Sequence, residues 1–282
     1  MTQVRPKRVV VLAGRRSGED PLAEAAGAPH RALLDIEGEP MLMRVLRRLL
    51  GFDGVEEVLV NFDAESLLDD IPAWGALRDR GVATVLASQD SPSRSVMESL
   101  DAVALDEGPV LVTTADHALL DDAMLEAYFA ACEEELADVY VALVPRTVIE
   151  ARFPEAKRTY LRFRGESYSG ANLFLFRTPE GRRAVEFWQR VENERKKPWR
   201  LARGFGLVSL VLFLLRRLDL DQAMVRASRV IGARVVAIPL EIAEAAVDVD
   251  KIEDLELVRK VLKERYAKRS SSTRTKVPDA RS

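Results

Sequence analysis

The chain has 282 residues, of which 48% are hydrophobic and 31% are charged. Its 42 basic and 45 acidic side chains give a net charge of −3, which excludes a global attraction to nucleic acid. The longest apolar stretch, residues 205–215, is shorter than the ~20 residues that a membrane-spanning helix needs. The single cysteine, Cys132, excludes an internal disulfide and fits a reducing compartment, so we expect a cytoplasmic protein.

The first strand and the loop after it are the most informative segment. The apolar run 9–13 predicts a buried strand, and it ends at Gly14 in a loop that contains a second glycine, Gly18. Ligands of open α/β sheets bind at the carboxyl ends of the strands. Backbone N–H groups at these glycines, with Arg15 and Arg31 nearby, make a cationic pocket for a polyphosphate. We therefore expect a nucleotide at this loop.

Further apolar runs alternate with segments of helical spacing along the chain. The predicted strands cover residues 58–60, 82–86, 110–112, 139–144, 173–176 and 235–238. The predicted helices cover residues 41–50, 96–105, 123–136, 182–191, the 205–231 region, and 252–268. This alternation predicts a three-layer α/β fold, doubly wound around a mostly parallel, mixed sheet.

The domain organisation is expected to be simple. We predict a single domain over residues 1–268, with a helical insertion at about 180–231. The remaining residues, 269–282, are polar and basic and have too few apolar side chains to offset the entropy of ordering. We expect them to form a disordered basic tail.

The motifs around the first loop carry a family resemblance. The loop is not Gly-x-Gly-x-x-Gly, and no Gly-Lys-Ser/Thr follows it as in a Walker A loop. It has the form Leu-Ala-Gly-x-Arg-x-Gly-x-Asp-Pro-Leu at 12–22, followed by Ala-Leu-Leu at 32–34 and Gly-x-Pro at 38–40. Over about residues 8–260 the chain resembles nucleotidyltransferases of the type of the molybdenum cofactor guanylyltransferase.

This resemblance implies a Rossmann-like fold, related to that of the GT-A glycosyltransferases. It also implies the transfer of a nucleoside monophosphate from a nucleoside triphosphate to a phosphorylated small molecule, with release of pyrophosphate. GTP or CTP is the favoured donor. Contacts with the nucleotide are implied for Leu12, Ala13, Gly14, Arg15, Gly18, Arg31 and Ser95. The family usually has Lys at the position of Arg31, and we treat Arg15 and Arg31 as catalytic candidates because guanidinium groups grip phosphate oxygens.

Ser95 is a candidate through a partial match. The stretch Arg94-Ser95-Val96 is similar to an Arg-x-x-Ser-Val stretch that lines the nucleotide pocket in cytidylyltransferases of isoprenoid synthesis, but it is one residue tighter. The alternative is that Ser95 only begins a helix, for which Ser93 is the expected N-cap.

Two acidic segments are candidates for Mg²⁺. Asp116 follows an apolar run, so it projects at the carboxyl edge of the sheet, and related transferases use an aspartate here for Mg²⁺ and for catalysis. Asp248 and Asp250 alternate with valines, which places both on one side of an extended stretch. Asp250 is also suited to cap the last helix. His117 is a weak metal candidate because no second His or Cys lies nearby in the sequence.

The acceptor and the partners are less defined. In the resembled family a Gly-Asn pair approaches the acceptor, which makes Gly170 and Asn172 candidates for substrate binding, although a turn into a strand needs no ligand. We expect no nucleic-acid partner and leave the oligomeric state open. The basic and apolar segment 196–217 keeps open a peripheral contact with a membrane.

Two other functions remain as alternatives. A nucleotide-sugar glycosyltransferase of related fold would use Asp248-Val249-Asp250 as its metal motif. A non-catalytic, nucleotide-binding or membrane-associated regulator would account for Arg31 in place of Lys.

Overall fold

A single large sheet forms the centre of the protein, in a computed structural model that describes residues 4–15, 20–194 and 215–274. Its strands are β1 (Arg8–Leu12), β4 (Glu57–Phe62), β5 (Ala83–Ala87), β6 (Val110–Thr114), β7 (Val139–Pro145), β8 (Leu161–Arg162), β9 (Ser167–Phe176) and β10 (Val235–Pro239). A separate hairpin consists of β2 (Asp35–Ile36) and β3 (Glu39–Pro40).

Helices connect most of these strands. They are α1 (Pro21–Ala25), α2 (Met41–Leu50), α3 (Ser66–Asp69), α4 (Pro72–Asp79), α5 (Pro92–Ala102), α6 (Asp122–Glu134), α7 (Arg146–Arg152), α8 (Arg182–Glu194), α9 (Leu220–Ile231) and α10 (Ile252–Arg274). Helix α10 continues beyond the boundary predicted at residue 268, because the serines and threonines that follow include no glycine or proline to end it. Most of the apolar stretch 205–215 and all of residues 275–282 lie outside the described residues.

The strand order is β10-β7-β9-β6-β1-β4-β5, with β8 paired to β9 at the side. Strand β1 is parallel to β4 and β6, β4 is parallel to β5, and β10 is parallel to β7. Strand β9 is antiparallel to both of its neighbours. The prediction of a mostly parallel, mixed sheet is confirmed. The carboxyl ends of β1, β4, β5 and β6 meet at one edge, and β9 enters the sheet from that same edge.

Helices cover both faces of the sheet, as predicted from the alternation of strands and helices. In β1, Val9 and Val11 contribute to the core on one face and Val10 to the core on the other. The first face packs against α2, α4, α6, α7 and α10, and the second against α5, α8 and α9. Strands buried on both faces explain why their sequences read as continuous apolar runs.

Strand β9 has an irregularity at the edge where the other strands end. Between the pairs Val141–Phe174 and Leu143–Gly170, the pairing advances two residues along β7 but four along β9. Within this bulge Asn172 has a φ of 47°. Asparagine is among the few residues that adopt this left-handed conformation readily. The bulge therefore leaves Asn172 outside the regular ladder, two residues after Gly170, which pairs with Leu143.

A buried tyrosine ties this strand to the layer below it. The hydroxyl of Tyr128, on α6, donates to the carbonyl of Tyr140 at 2.9 Å and accepts from the N–H of Leu175 at 3.0 Å. The Tyr128 side chain is fully buried. One hydroxyl thus connects α6, β7 and β9.

We predict that Tyr128→Phe lowers the free energy of unfolding by about 1–3 kcal/mol, because a buried donor and a buried acceptor both lose their partner. Urea denaturation followed by circular dichroism measures this. Tyr168→Phe, at a partly exposed position of β9, is the matched control, with an expected change below about 0.5 kcal/mol. Equal losses in the two variants would contradict the role of the Tyr128 hydroxyl.

Candidate active site

The first loop leaves β1 under a tight steric constraint. The N–H of Ala13 still donates to the carbonyl of Asn61 at 2.9 Å, while Leu12 is partly buried and Ala13 is buried. A Cβ on Gly14 would lie 2.2 Å from the Ser88 hydroxyl oxygen, just after β5. Only glycine fits there without displacing the backbone. Gly14 is exposed, and Gly18 lies outside the described residues.

Arg15 is held by an aspartate that follows the neighbouring strand. Asp63, just after β4, accepts hydrogen bonds from the Arg15 backbone N–H at 3.0 Å and from its Nε at 2.8 Å. It also contacts His30 Nε2 at 3.0 Å. Although burial opposes ionisation, the bonds from Arg15 and His30 lower the pKa of Asp63 to about 2. Asp63 therefore carries a full negative charge that fixes Arg15.

His30 is a neutral structural link in this arrangement. Its Nδ1 accepts from the N–H of Ala32 at 3.0 Å, so the ring proton resides on Nε2, which donates to Asp63. Burial lowers the pKa of His30, although Asp63 acts in the opposite direction. The imidazole caps the short 3₁₀ turn Arg31–Leu33 and thereby places the side chain of Arg31.

Arg31 joins the first loop to the late acidic segment. Its Nε and Nη2 donate to the two carboxylate oxygens of Asp20 at 3.0 and 3.2 Å, and its Nη1 donates to Asp250 at 3.1 Å. Burial opposes ionisation of Asp20, but the bond from Arg31 lowers its pKa. The charges of Asp20, Asp250 and Asp116 raise the pKa of Arg31 against the effect of burial. The guanidinium is therefore always charged and lies among three carboxylates.

Asp116 occupies the carboxyl end of β6, in the middle of the sheet. The Thr114 hydroxyl donates to its carboxylate, and the N–H of Val249 donates to its backbone carbonyl at 3.1 Å. This last bond brings the late segment against the end of β6. Burial, together with the charge of Asp250, raises the pKa of Asp116 although Thr114 and Arg31 lower it.

Asp248 lies next to Asp116 and lacks a partner for one of its oxygens. Its Oδ1 is buried and makes no hydrogen bond to any part of the chain that the structure describes. Burial and the negative charge of Asp116 raise its pKa well above the ordinary value, and the nearby cation of Arg158 lowers it only partly. Asp250 is more exposed and is paired with Arg31.

The cap of the last helix is Asp254 rather than Asp250. Its Oδ2 accepts from the N–H groups of Asp250 and Lys251 at 3.3 and 3.2 Å. Asp254 also forms a buried ion pair with Arg158, at 3.0 Å. The alternative in which Asp250 caps α10 is therefore wrong, because the capping oxygen reaches back from the first turn of the helix.

The carboxylates fit a magnesium ion that is shared with a substrate. Among residues 4–15, 20–194 and 215–274, no three acidic, histidine or cysteine side chains form a preformed metal cage. Mg²⁺ seldom requires one, since it commonly uses one or two carboxylates plus substrate phosphates and water. The orphaned oxygen of Asp248 and the raised pKa of its neighbour Asp116 both favour a cation between them.

Ser95 is buried and already engaged. Its hydroxyl accepts from the N–H of Gln89 at 2.9 Å, which fixes the loop after β5. Helix α5 is capped by Ser91, whose hydroxyl accepts from the N–H of Arg94. The expected cap at Ser93 is wrong because Pro92 takes the first helical position, where proline is favoured.

The two remaining site candidates differ in exposure. Gly170 is exposed and Asn172 is partly buried, both on β9 at the edge that carries Asp116.

His117 is fully buried, and burial lowers its pKa to about 4, so it is neutral. Of the basic segment 196–217, only residues 215–217 are described. No helix in the described part of the chain combines the length and apolarity needed to cross a bilayer.

Sequence reasoning missed two aspartates that hold the candidate arginines, Asp63 at Arg15 and Asp20 at Arg31. Asp63 follows an apolar strand in the same way as Asp116, so the same argument applied to β4 would have found it. Asp20 precedes Pro21 and caps α1 through its Oδ1, a sequence signal for a helix start. Its pairing with Arg31 has no local signal in the sequence.

Comparisons with known proteins give this site a family. The sequence model described as MobA-like NTP transferase domain matches residues 9–168. The structure of a hypothetical transferase from Thermus thermophilus is similar, with 31% sequence identity and a TM-score of 0.72, and the match covers 89% of this chain and 100% of that one. The protein belongs to the MobA-like NTP transferase family.

More distant structures share the fold of this NTP transferase. CMP:2-keto-3-deoxy-manno-octonic acid synthetase, in complex with CTP, has 17% identity and a TM-score of 0.55, and covers 92% of this chain and 100% of its own. The 4-diphosphocytidyl-2C-methyl-D-erythritol synthase from Anaerococcus prevotii has 12% identity and a TM-score of 0.53, with 91% and 95% covered. The expectations of a nucleotidyltransferase and of a Rossmann-like fold are confirmed.

We predict that Asp63→Asn lowers the free energy of unfolding of the NTP transferase at pH 7. A pKa that falls from 3.8 to about 2 is worth at most about 2 kcal/mol. Because Asp63 is exposed to solvent, screening reduces the expected loss to roughly 1 to 1.5 kcal/mol. A carboxyl with a lowered pKa stabilises the fold above its unfolded pKa and loses that effect as the pH falls through its folded pKa. The difference between wild type and variant therefore shrinks between pH 3.8 and about pH 2.

Urea titrations at several pH values measure this difference. Asp69→Asn is the control, because Asp69 forms an exposed ion pair with Arg78 and its loss costs at most about 1 kcal/mol. A difference for Asp63→Asn that stays constant down to the lowest pH would refute the proposed charge on Asp63.

Proposed function

We propose that the protein is a Mg²⁺-dependent nucleotidyltransferase that joins a nucleoside triphosphate to a phosphorylated small molecule and releases pyrophosphate. The observation that carries this proposal is the position of Arg31. Its guanidinium bridges Asp20, at the phosphate loop, and Asp250, in the acidic segment beside Asp116. Arg31 thus lies between the cationic first loop and the carboxylate cluster. A triphosphate with a bound metal ion needs both, because its phosphates bind cationic side chains and its metal ion binds carboxylates.

The triphosphate is proposed to lie over the first loop. The exit from β1, at Leu12, Ala13 and Gly14, offers backbone close to the ligand because Gly14 has no side chain. Arg15 and Arg31 supply positive charge, and Gly18 belongs to the same loop in the sequence. Ser95 is proposed to affect nucleotide binding indirectly. Its hydroxyl is already bound to the N–H of Gln89, and this bond positions the loop after β5.

Asp116 and Asp248 are proposed to hold Mg²⁺, with Asp250 as a third ligand once Arg31 turns to the phosphates. A bound Mg²⁺ would neutralise the charge that develops as pyrophosphate leaves. The protein contributes two carboxylates whose mutual repulsion is relieved by a cation. Positioning and charge neutralisation carry the reaction.

The acceptor is proposed to lie at β9, on the far side of β6 from the phosphate loop. The sheet order β9-β6-β1 places Gly170 and Asn172 on one side of Asp116 and the nucleotide loop on the other. An ionised acceptor phosphate needs no general base. This agrees with the state of the histidines, since His30 is neutral and bound to Asp63 and His117 is buried.

CTP and GTP are the proposed donors. CTP is supported by the similar fold of a CMP-sugar synthetase solved with CTP, and GTP by the family of the molybdenum cofactor enzyme. The glycosyltransferase alternative predicts release of a nucleoside diphosphate rather than pyrophosphate, so the product separates the two. A regulator would bind the triphosphate without turnover.

We predict that wild-type protein with Mg²⁺ is stabilised thermally by CTP or GTP more than by ATP or UTP. A ligand at 100 times its Kd adds about 2.7 kcal/mol. With phosphorylated polyols and sugars as acceptors, the preferred triphosphate gives pyrophosphate, measured as phosphate after cleavage by a coupled inorganic pyrophosphatase. Asp116→Ala is expected to abolish release while the fold survives, and Asp122→Ala, at an exposed ion pair with Arg48, retains it. Unchanged pyrophosphate release by Asp116→Ala would refute the proposed role of Asp116.

We further predict that Asp248→Asn stabilises the metal-free protein. Without a cation, the buried Asp248 must either stay ionised beside Asp116 or take up a proton at neutral pH, and both cost free energy. Its replacement by a neutral amide is therefore expected to raise the free energy of unfolding in EDTA at pH 7 by about 1–2 kcal/mol. Addition of Mg²⁺ with triphosphate then stabilises the variant less than the wild type. Asp79→Asn, at an exposed site, is the control. A variant that is less stable than wild type in EDTA contradicts the proposed repulsion.

A further inference from the structure

Three side chains near the carboxylate cluster have buried polar atoms that find no hydrogen-bond partner among the described residues. They are Arg158, through its Nε and Nη2, Tyr160, through its hydroxyl, and Asp248, through its Oδ1. A buried polar atom without a partner costs free energy and is rare in native proteins. When several such atoms lie together, they indicate a ligand that completes their hydrogen bonds. We call these three residues the Arg158 cluster.

The members of the Arg158 cluster lie close enough to affect one another's ionisation. Burial raises the pKa of Asp248, and the cation of Arg158 acts in the opposite direction. Burial also raises the pKa of Tyr160, again against the effect of Arg158. The phenol therefore keeps its proton at neutral pH and can donate a hydrogen bond. Arg158 is thus near both the carboxylate of the proposed metal site and the hydroxyl of Tyr160.

Arg158 contributes hydrogen-bond donors rather than an unpaired charge. Its Nη2 lies 3.0 Å from Oδ1 of Asp254, in an ion pair whose alignment is not that of a hydrogen bond. A guanidinium group has five N–H donors in a planar fork. Only 9% of this side chain is exposed, so its Nε and Nη2 are shielded from solvent. The ion pair with Asp254 fixes the guanidinium, while these donors stay available to the oxygens of a ligand.

Tyr160 places the cluster at the side of the sheet where the acceptor is proposed to lie. Leu161 of β8 pairs with Tyr168 of β9, so Tyr160, one residue earlier, lies near Gly170 on the neighbouring strand. The guanidinium of Arg146 lies over the ring of Tyr160, 5.5 Å from its centroid. The cluster therefore reaches from the proposed metal carboxylates to the acceptor side of β9.

The chemistry of these groups favours an oxyanion. Arg158 and Tyr160 donate hydrogen bonds, and phosphate oxygens accept several such bonds and match the guanidinium fork. An amine would be repelled by Arg158. Asp248 would repel an oxyanion unless a cation lies between them, which is the role proposed for Mg²⁺. The cluster thus fits a phosphate group that lies beside the metal ion.

We propose that Arg158 and Tyr160 bind the phosphate of the acceptor and give the site its preference for phosphorylated acceptors. In the proposed reaction an oxygen of this phosphate forms a bond to the α-phosphorus of the triphosphate. The bond from the α-phosphorus to the bridging oxygen breaks, and pyrophosphate leaves with the electron pair. The two side chains hold the acceptor and transfer no proton. This inference rests on the proposed function.

Steady-state kinetics of pyrophosphate release, with phosphorylated polyols and sugars as acceptors, test the site. Tyr160→Phe keeps the ring under Arg146 and loses only the hydroxyl, so we expect the KM for the acceptor to rise about tenfold. Arg158→Lys keeps a cation but loses the fork, and we expect a rise of about tenfold or more. The KM for the triphosphate is expected to stay within about twofold in both variants, as for independent sites.

Isothermal titration of the full chain with inorganic phosphate in Mg²⁺ is a second measurement, which needs no turnover. We expect Tyr160→Phe and Arg158→Lys to bind phosphate about fivefold or more weakly than the wild type. Arg15→Gln, at the first loop, is expected to bind it within about twofold of the wild type. The matched controls Tyr266→Phe and Arg78→Lys, at exposed positions, are expected to change neither measurement. Circular dichroism checks the fold of each variant.

The outcomes separate this inference from the proposed function. If the wild type releases pyrophosphate and both variants keep its KM for the acceptor, the site is overturned and the proposed function stands. If the wild type releases none with any acceptor, the proposed function fails, and unchanged phosphate binding in Tyr160→Phe and Arg158→Lys then overturns the site as well. Loss of phosphate binding in Arg15→Gln alone would place the anion at the first loop and also overturn it. If Arg158→Lys does not fold, Tyr160→Phe decides.

Discussion

The hydrogen bond from the N–H of Val249 to the carbonyl of Asp116 is the constraint on which the site depends. It places a segment from the end of the chain against the central strand β6, and it forces Asp248 close to Asp116. Like charges in a partly buried place cost free energy. The chain offsets part of this cost with Arg31 on one side and Arg158 on the other. Destabilising contacts of this kind are typical of functional sites, because function can require an arrangement that lowers the stability of the fold.

Side-chain hydrogen bonds hold Arg15 and Asp20, the described residues on either side of the first loop. His30 fixes the turn that presents Arg31, Asp63 links His30 to Arg15, and Asp20 receives Arg31. Each member holds a neighbour that carries the opposite charge or a matching hydrogen-bond group. Cationic groups that are already held in place would need little reorganisation to bind an anion. The planar guanidinium of Arg31 reaches two aspartates at once, Asp20 and Asp250.

Much of the architecture follows from local patterns in the sequence. Apolar runs of strand length and helical spacing place the main elements, because buried strands and amphipathic helices differ in period. The ends of β1 and β6 also indicate Gly14, Arg15 and Asp116 as candidate site residues from the sequence alone. The contacts that the sequence does not predict join residues that are far apart along the chain. The contact between Arg31 and Asp250 and the ion pair of Arg158 with Asp254 arise only when separate segments meet.

The bulge in β9 changes the strand by an even number of residues. Ala171, Leu173 and Leu175 all remain on the face of Tyr140, and Phe174 and Phe176 remain on the face of Val139. Insertion of an odd number of residues would have turned the apolar side chains on one side of the bulge toward the opposite face of the sheet. At the sheet edge beside Asp116, an insertion or deletion of two residues in β9 would therefore preserve which side chains face each layer of the core.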